Sequence, residues 1–317
     1  MGAYGLQTHI WNNNLKSVVL LAGFPVLLLV LTFGVTLGYV ALFEPYGSAR
    51  EGVDVALERM REIWVWALVG AAIWFALAYS LNTTIVRKAV GAKGLTRKEA
   101  PDVYNLVENL CISRGERTPR INVIETPQMN AFASGVDEPS YTVTLTRGLM
   151  DALDRDELEA VIAHELTHIR NRDVRLLIVA TVFVGIFSFV GELLYNGLFR
   201  SGLRMGGHTR SRRGDSRGGG MLIIVAIAAI AVAYALALVI RFALSRKREY
   251  LADAGAAELT RNPDAMIRAL EKISGRSELS APDDVRQMML DNPVRFIGVF
   301  ATHPPIDKRI EALRAFG

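Results

Sequence analysis

The chain contains a single cysteine, Cys111, so it cannot form a disulfide within itself. This scarcity is typical of proteins that work in a reducing compartment. The sequence also lacks the interleaved aromatic and basic residues with which proteins bind nucleic acid. The net charge of +4 and the pI of about 9.2 therefore do not predict a nucleic-acid partner.

Charged residues are missing from several long stretches, although they make up 21% of the chain. Residues 17–43, 63–81 and 221–240 contain none, and residues 176–199 contain only Glu192. A helix that crosses the hydrocarbon core of a bilayer needs about 20 consecutive apolar residues. The sequence thus predicts a lipid bilayer as partner and four segments long enough to cross it.

The first apolar block could be a secretory signal or a retained anchor. Its run is much longer than the roughly 7–15 residues of a signal core, and Lys16 is the only basic residue before it. We therefore expect an anchor. A basic cluster follows the second block, as is typical of cytoplasmic flanks. Its members are Arg87, Lys88, Lys93, Arg97 and Lys98.

The second pair of blocks leaves two topologies open. The residues that connect them, 200–220, carry six arginines against one aspartate. If both blocks cross the membrane, this basic loop lies outside, against the positive-inside tendency. If they do not cross fully, the loop contacts the cytoplasmic headgroups. We favour the crossing hairpin and expect its Gly-, Ser- and Arg-rich loop to be disordered.

Local patterns predict the elements of the polar segments. Thr96 and Glu99 form a capping box for a helix that runs towards Ser113. Asp154 and Glu157 cap a second helix that extends to about Asn171. Strands are expected at residues 120–125, 130–135 and 141–146, and further helices at 245–259, after Asn262-Pro263, and at 306–315.

The second of these helices carries His164-Glu165-Leu166-Thr167-His168. Histidines four residues apart project from one face of a helix, so both imidazoles can reach one zinc ion. Glu165 then lies beside a metal-bound water as the expected general base. A chance match on a helix surface is the alternative. We predict a zinc site, because two of only five histidines meet behind an apolar run.

A catalytic zinc ion usually has a third protein ligand. The metzincin continuation would require Gly at position 171 and His at 174, where this chain has Asn171 and Val174. Glu249 is a candidate third ligand, and Asp253, on the same helix face, is a candidate partner for a ligand histidine. Spacing alone leaves open that Glu249 is an ordinary solvated glutamate.

These motifs, with apolar anchors before and between them, resemble the HtpX heat-shock membrane proteases, which are related to the CaaX prenyl endopeptidases. The resemblance covers nearly the whole chain and includes Asn130-Ala-Phe-Ala and Thr302-His303-Pro304. It implies that His164, His168 and Glu249 bind one zinc ion per chain and that Glu165 is catalytic. It also implies membrane α-helical anchors with a mainly α, gluzincin-like α+β metalloprotease domain.

The resemblance further implies an endopeptidase that cleaves membrane or misfolded proteins at the cytoplasmic face of a bacterial inner membrane, in protein quality control under stress. A non-proteolytic zinc-binding scaffold or adaptor is the alternative, but it would have no need of Glu165. An intramembrane protease would bury its motif in an apolar span, whereas charges begin and end this helix. The oligomeric state is left open.

The corresponding division of the chain has four parts. They are an N-terminal transmembrane hairpin (1–81), a first catalytic part with the His-Glu-x-x-His helix (82–173), an apolar hairpin with an Arg/Gly-rich loop (174–244) and a second catalytic part with the third zinc ligand (245–317).

Three other residues have two interpretations each. Asn130 and the strand after it could present an edge to an extended substrate, or Asn130 could be a turn residue. His303 could stabilise a developing oxyanion, or be a structural histidine in a proline-bounded turn. Glu192, inside an apolar block, could mark a polar groove between helices or lie near the headgroups.

Overall fold

The structure is a computed structural model that describes residues 6–194, 219–243, 246–274, 276–277, 288–290 and 304–315. Helices dominate the described part of the chain. They are α1 (Leu6–Phe43), α2 (Ala49–Ala89), α3 (Pro101–Arg114), α4 (Arg147–Ala152), α5 (Arg155–Arg170), α6 (Asp173–Leu194), α7 (Gly219–Ala243), α8 (Arg246–Thr260), α9 (Pro263–Ile273) and α10 (Ile306–Arg314).

A small mixed sheet accompanies the helices. Its strands are β1 (Lys93–Gly94), β2 (Arg120–Ile124), β3 (Ala131–Ser134) and β4 (Thr142–Thr146), in the order β1-β2-β4-β3. β2 and β4 are parallel, whereas β1 pairs antiparallel with β2 and β3 antiparallel with β4. This order places β3 at one edge of the sheet.

The chain divides into two compact units. One, here called the catalytic unit, contains residues 1–17, 79–178 and 242–317, and the other, the apolar unit, contains residues 18–78 and 179–241. In the catalytic unit α5 contacts β3, β4, α3, α8 and α9. The side chains on α5 from Ala160 to Thr167 are all buried. The helix with the histidine motif is therefore the centre of this unit.

The apolar unit is built from long, largely hydrophobic helices, of which α2 carries charged residues over 50–62. Leu37, Val40, Ala56, Leu222 and Ala226 form a buried cluster. Three described helical segments are long and apolar enough to cross a membrane, namely Ala22–Phe43, Ala49–Ala89 and Asp173–Leu193. Gly220–Leu236 is a shorter apolar helix. Whether the second hairpin crosses fully stays a prediction, and most of its basic loop lies outside the described residues.

The mainly helical fold with a small sheet is confirmed, and most predicted elements lie within one or two residues of the observed ones. The start of α3 was predicted wrongly. Thr96 and Glu99 form one half of a capping box, because the Thr96 amide donates to the Glu99 carboxylate at 2.8 Å. The Glu99 amide donates to the Thr96 carbonyl oxygen at 3.1 Å and not to the Thr96 hydroxyl. The helix nevertheless begins at Pro101, because the residue before a proline is disfavoured in the helical conformation.

The three predicted strands are present, but β2 and β4 are buried on both faces apart from Arg120. β-Branched and polar residues alternate in both strands, a pattern typical of strands with one solvated face. The polar members of the alternation, including Asn122 and Thr144, lie inside the catalytic unit instead. The predicted four-part division of the chain stays a prediction.

Candidate metal centre

α5 begins with the predicted capping box. The Asp154 carboxylate accepts from the Glu157 amide, and the Glu157 carboxylate accepts from the Asp154 amide, both at 2.9 Å. This fixes where the helix begins and hence which residues face the interior. His164 and His168 follow on one face, with their rings nearly perpendicular and their Nε2 atoms 3.1 Å apart.

Glu249 reaches the same point from α8. Its Oε2 lies 3.7 Å from His164 Nε2, and its Oε1 lies 3.6 Å from His168 Nε2. One ligand atom from each of the three residues lies within 4.8 Å of the other two. Two atoms bound tetrahedrally to zinc at about 2.0–2.1 Å are roughly 3.3–3.4 Å apart. The three observed separations therefore fit a single zinc-sized ion.

The charges also fit a cation. Burial opposes a charged imidazole, but the carboxylates of Asp253 and Glu249 outweigh burial and raise the pKa of His164 to about 9. The Glu249 carboxylate and the two Nε2 atoms converge on one position, and Asp253 adds negative charge behind the His164 ring. These groups supply the deprotonated ligands that a divalent metal requires.

Each histidine has a carboxylate behind it. Asp253 Oδ1 lies 2.9 Å from His164 Nδ1, and Asp173 Oδ2 lies 3.0 Å from His168 Nδ1. The contact of His168 is a hydrogen bond, and that of His164 is an ion-pair contact. A carboxylate in this position orients the ring and leaves the opposite nitrogen, Nε2, available for a metal. Asp253 was predicted in this position. Asp173 was not.

Asp173 escaped prediction because it is five residues after His168, which is off the histidine face of a continuous helix. Arg172, with a φ of +58°, breaks the helix and starts α6 in a new direction. The Asp173 side chain then turns back to His168, and Arg248 donates to the Asp173 carbonyl oxygen at 3.1 Å. A non-glycine residue with positive φ is seldom foreseen from sequence.

Asp253 is itself held by a buried arginine. The Arg309 guanidinium donates to both of its carboxylate oxygens, at 2.9 and 2.7 Å. Burial alone would raise the pKa of Asp253, but Arg309 and His164 hold it at about 2. Arg309 lies on α10, and its position in the final helix gave no sequence signal for this contact.

Glu165 lies beside the ligand atoms. It is buried, and in the described part of the structure neither carboxylate oxygen has a hydrogen-bond partner. Burial raises the pKa of its carboxyl, and the imidazoles of His164 and His168 counter this only in part. Glu165 also lines a cleft with other residues of the catalytic unit. These are Ala133, His168, Asp173, Val174, Leu177, Arg248, Glu249 and Met288.

Asn130 is fully buried in the catalytic unit. Its side chain donates to the Ser277 carbonyl at 2.9 Å and accepts from the Leu290 amide at 3.0 Å. It thereby anchors the start of β3. His303 lies outside the described residues. Glu192 is exposed on α6 in the apolar unit. The predicted roles of these residues stay predictions.

Residues 97–316, which include the whole site, match the sequence pattern of peptidase family M48. The chain is also 43% identical to the protease HtpX homolog of Bacteroides fragilis over 324 aligned residues, covering 98% of this chain and 99% of that one. It is 36% identical to the protease HtpX homolog of Listeria monocytogenes, over 97% and 99% of the two chains. The predicted resemblance to HtpX proteases is confirmed.

A solved structure has a related fold. The crystal structure of Ste24p from S. mikatae superposes with a TM-score of 0.50 at 17% identity, over 96% of this chain and 66% of that one. At this identity the likeness concerns the fold alone. Family, apolar helices and relatives agree: the chain belongs to peptidase family M48, and it is a membrane metalloendopeptidase whose substrates are polypeptides.

Proposed function

We propose that the protein is a zinc-dependent endopeptidase that cleaves membrane or misfolded proteins at the cytoplasmic face of a bacterial inner membrane. One observation carries the assignment of the site. Three potential ligand atoms converge next to a buried glutamate whose oxygens have no other partner in the described structure. A buried carboxylate without a hydrogen-bond partner destabilises the fold, so its presence calls for a functional explanation.

In this proposal His164, His168 and Glu249 hold the zinc ion. When bound, zinc polarises a carbonyl group and lowers the pKa of a water molecule. The Glu165 carboxylate accepts the proton of the attacking water and then donates it to the leaving amide nitrogen. Asp253 and Asp173 keep the two imidazoles oriented.

β3 is the last strand of the sheet, and its residue Ala133 lines the cleft with Glu165. The first half of its outer edge is already paired, because Phe132 forms a bridge with Met289 and the Leu290 amide donates to the Ala131 carbonyl oxygen. A substrate would therefore pair with the second half of this edge, from Ala133 onwards. Proteins commonly bind extended peptides by adding them as a strand to such an edge. We propose that β3 aligns the substrate in this way. Asn130 contributes indirectly, since it fixes the start of the strand.

The proposed location rests on charge and hydropathy. Three described segments can cross a membrane, and the basic cluster after the second one favours a cytoplasmic catalytic unit. A catalytic unit joined by the chain to such anchors stays at the membrane, which suits the proposed quality-control role. Labelling of residues in the 200–220 loop with a membrane-impermeant reagent in intact cells tests the topology of the second hairpin.

A zinc-binding scaffold remains the competing function. A scaffold would keep the ligands but would gain nothing from Glu165. The test measures the rate of casein cleavage with and without added zinc. It compares three purified proteins, namely wild type, Glu165→Gln and Glu159→Gln. We expect Glu165→Gln to lower the rate by about 10²–10⁴-fold and to keep its zinc. Glu159, on the same helix, is the matched control. Wild-type cleavage rates in Glu165→Gln would disprove the mechanism.

The third ligand needs a separate test. Glu249→Ala removes one of three proposed ligands, so its bound zinc, measured by metal analysis after dialysis, should fall sharply. Glu258→Ala is the control, because Glu258 is exposed on the same helix. Equal zinc content in both variants would remove Glu249 from the proposed site.

A further inference from the structure

Arg309 is the largest charged side chain that is fully buried in the described structure, with 1% of its surface exposed. It comes from α10, near the end of the chain. Another arginine of that helix, Arg314, is exposed and forms a surface ion pair with Glu271 at 3.5 Å. Burial of a guanidinium is costly unless its donors are satisfied by suitably placed acceptors.

The acceptors of Arg309 lie on the path to the candidate metal centre. Nε and Nη2 donate to the two oxygens of Asp253, at 2.9 and 2.7 Å. This two-pronged geometry fixes the plane of the carboxylate as well as its charge. The same Asp253 carboxylate has one oxygen 2.9 Å from His164 Nδ1. A continuous chain of contacts thus joins α10 to a histidine of α5.

Arg309 is also held from a second side. Its Nη1 donates to the Leu290 carbonyl oxygen at 2.8 Å and lies 3.8 Å from Glu249 Oε2, a longer contact than the two bonds to Asp253. The Leu290 amide in turn donates to the Ala131 carbonyl oxygen at 2.8 Å and to Asn130 Oδ1 at 3.0 Å. The guanidinium is therefore anchored to the sheet edge, and Asp253 is positioned against a fixed partner.

From this geometry we infer that Arg309 is a positioning residue of the metal centre. It holds the Asp253 carboxylate in the plane from which that carboxylate orients His164. The inference rests on the proposed function, because it assumes that His164 binds zinc. An orienting partner of a ligand histidine typically changes metal affinity by 10–100-fold. A merely structural arginine would change stability and leave the affinity of the folded protein unaltered.

The experiment compares zinc dissociation constants, measured by competition with a chromophoric chelator, for four full-length variants in detergent. These are Arg309→Met, Asp253→Asn, the double variant Asp253→Asn/Arg309→Met, and the control Arg314→Gln. The visible spectrum of the cobalt-substituted proteins is recorded as well, because it reports ligand geometry independently of activity. We expect Arg309→Met to bind zinc about 10–100-fold more weakly with an altered cobalt spectrum, and Arg314→Gln to match wild type.

The double variant tests the route. If Arg309 acts through Asp253, Arg309→Met has no further effect on zinc affinity once Asp253→Asn is present. Losses that multiply in the double variant would overturn the inference. Wild-type affinity and an unchanged cobalt spectrum in Arg309→Met would also overturn it.

Loss of Arg309 alone leaves a buried carboxylate unpaired, and that variant could fail to fold. In that case the zinc affinities of Asp253→Asn and the double variant are compared. Neither of these variants has a carboxylate at position 253, so neither leaves one buried without its arginine. Equal affinities support the inference, and a further loss in the double variant contradicts it. Failure of the proposed function is distinguishable, because wild type itself would then bind no zinc.

Discussion

The two units of the chain use buried and exposed positions in opposite ways. In the catalytic unit the interior holds many charged or titratable side chains, namely Glu157, His164, Glu165, Asp173, Glu249, Asp253 and Arg309. In the described part of the apolar unit, Thr36 is the buried polar residue, and its hydroxyl donates to the Thr32 carbonyl in its own helix. Most of the exposed large hydrophobic side chains belong to this unit.

This difference indicates that lipid surrounds the apolar unit and water surrounds the catalytic unit. Apolar side chains on an outer surface are stable when lipid surrounds them, and a backbone in lipid must satisfy its hydrogen bonds within its own helix. Buried charges are stable when each has a partner. In the catalytic unit several buried charges belong to one network around the candidate metal centre, whereas Glu165 has no hydrogen-bond partner in the described structure. A buried polar group without a partner is often a functional one.

Removal of the metal should have the largest effect. If zinc is present at about 1,000 times its dissociation constant, its loss lowers the free energy of unfolding by about 4 kcal/mol. We expect this loss in the catalytic unit, with the helices of the apolar unit unaffected. Thermal unfolding with and without a chelator measures the loss of stability. Hydrogen exchange, resolved along the sequence, shows which unit loses protection. A uniform loss of protection in both units would contradict the expected separation.

Two isoleucines with similar exposure offer a direct comparison of the solvents. Ile73 is 56% exposed in the apolar unit, and Ile112 is 69% exposed in the catalytic unit. Ile73→Lys should disfavour membrane insertion by about 2.5–3.5 kcal/mol. Ile112→Lys should change stability by less than about 0.5 kcal/mol. Recovery from carbonate-washed membranes and thermal unfolding in detergent test both. Equal behaviour would mean that Ile73 does not face lipid.

Close helix packing in the catalytic unit predicts a smaller effect. A Cβ atom added to Gly255 on α8 would lie 2.5 Å from Thr167 Cγ2 on α5. Gly255→Ala should therefore force apart the two helices that carry the candidate ligands and cost about 1–3 kcal/mol. Gly70→Ala, in the apolar unit, has no atom within 4 Å and serves as the control. Chemical denaturation gives both values, and a cost at Gly70 alone would contradict the packing argument.

The smallest effect concerns pH. Burial raises the pKa of the Cys111 thiol from 9.0 to about 11. Between these values the folded protein binds more protons at Cys111 than the unfolded one, so stability should fall as pH rises from about 9 to about 11. Cys111→Ala should flatten this slope in thermal unfolding series. The same slope in both proteins would show that other groups cause it.

Much of the site was accessible from local sequence because helix geometry is local. Histidines four residues apart share a face, and Asp154 and Glu157 close a capping box wherever the helix forms. Apolar runs likewise predict membrane segments because the thickness of the bilayer sets their length. The start of α3 was missed because a proline at the first helical position outweighed a valid capping pattern five residues earlier.

Sequence alone determined the class of chemistry, since His164, Glu165 and His168 lie within one turn of one helix. Tertiary structure alone decided two further partners, Asp173 and Arg309. The positive φ of Arg172 brings Asp173 to His168, and the packing of α10 brings Arg309 to Asp253. These contacts depend on where distant elements meet, and the energy that places them comes from burial across the whole unit. A local sequence pattern therefore cannot predict these two contacts.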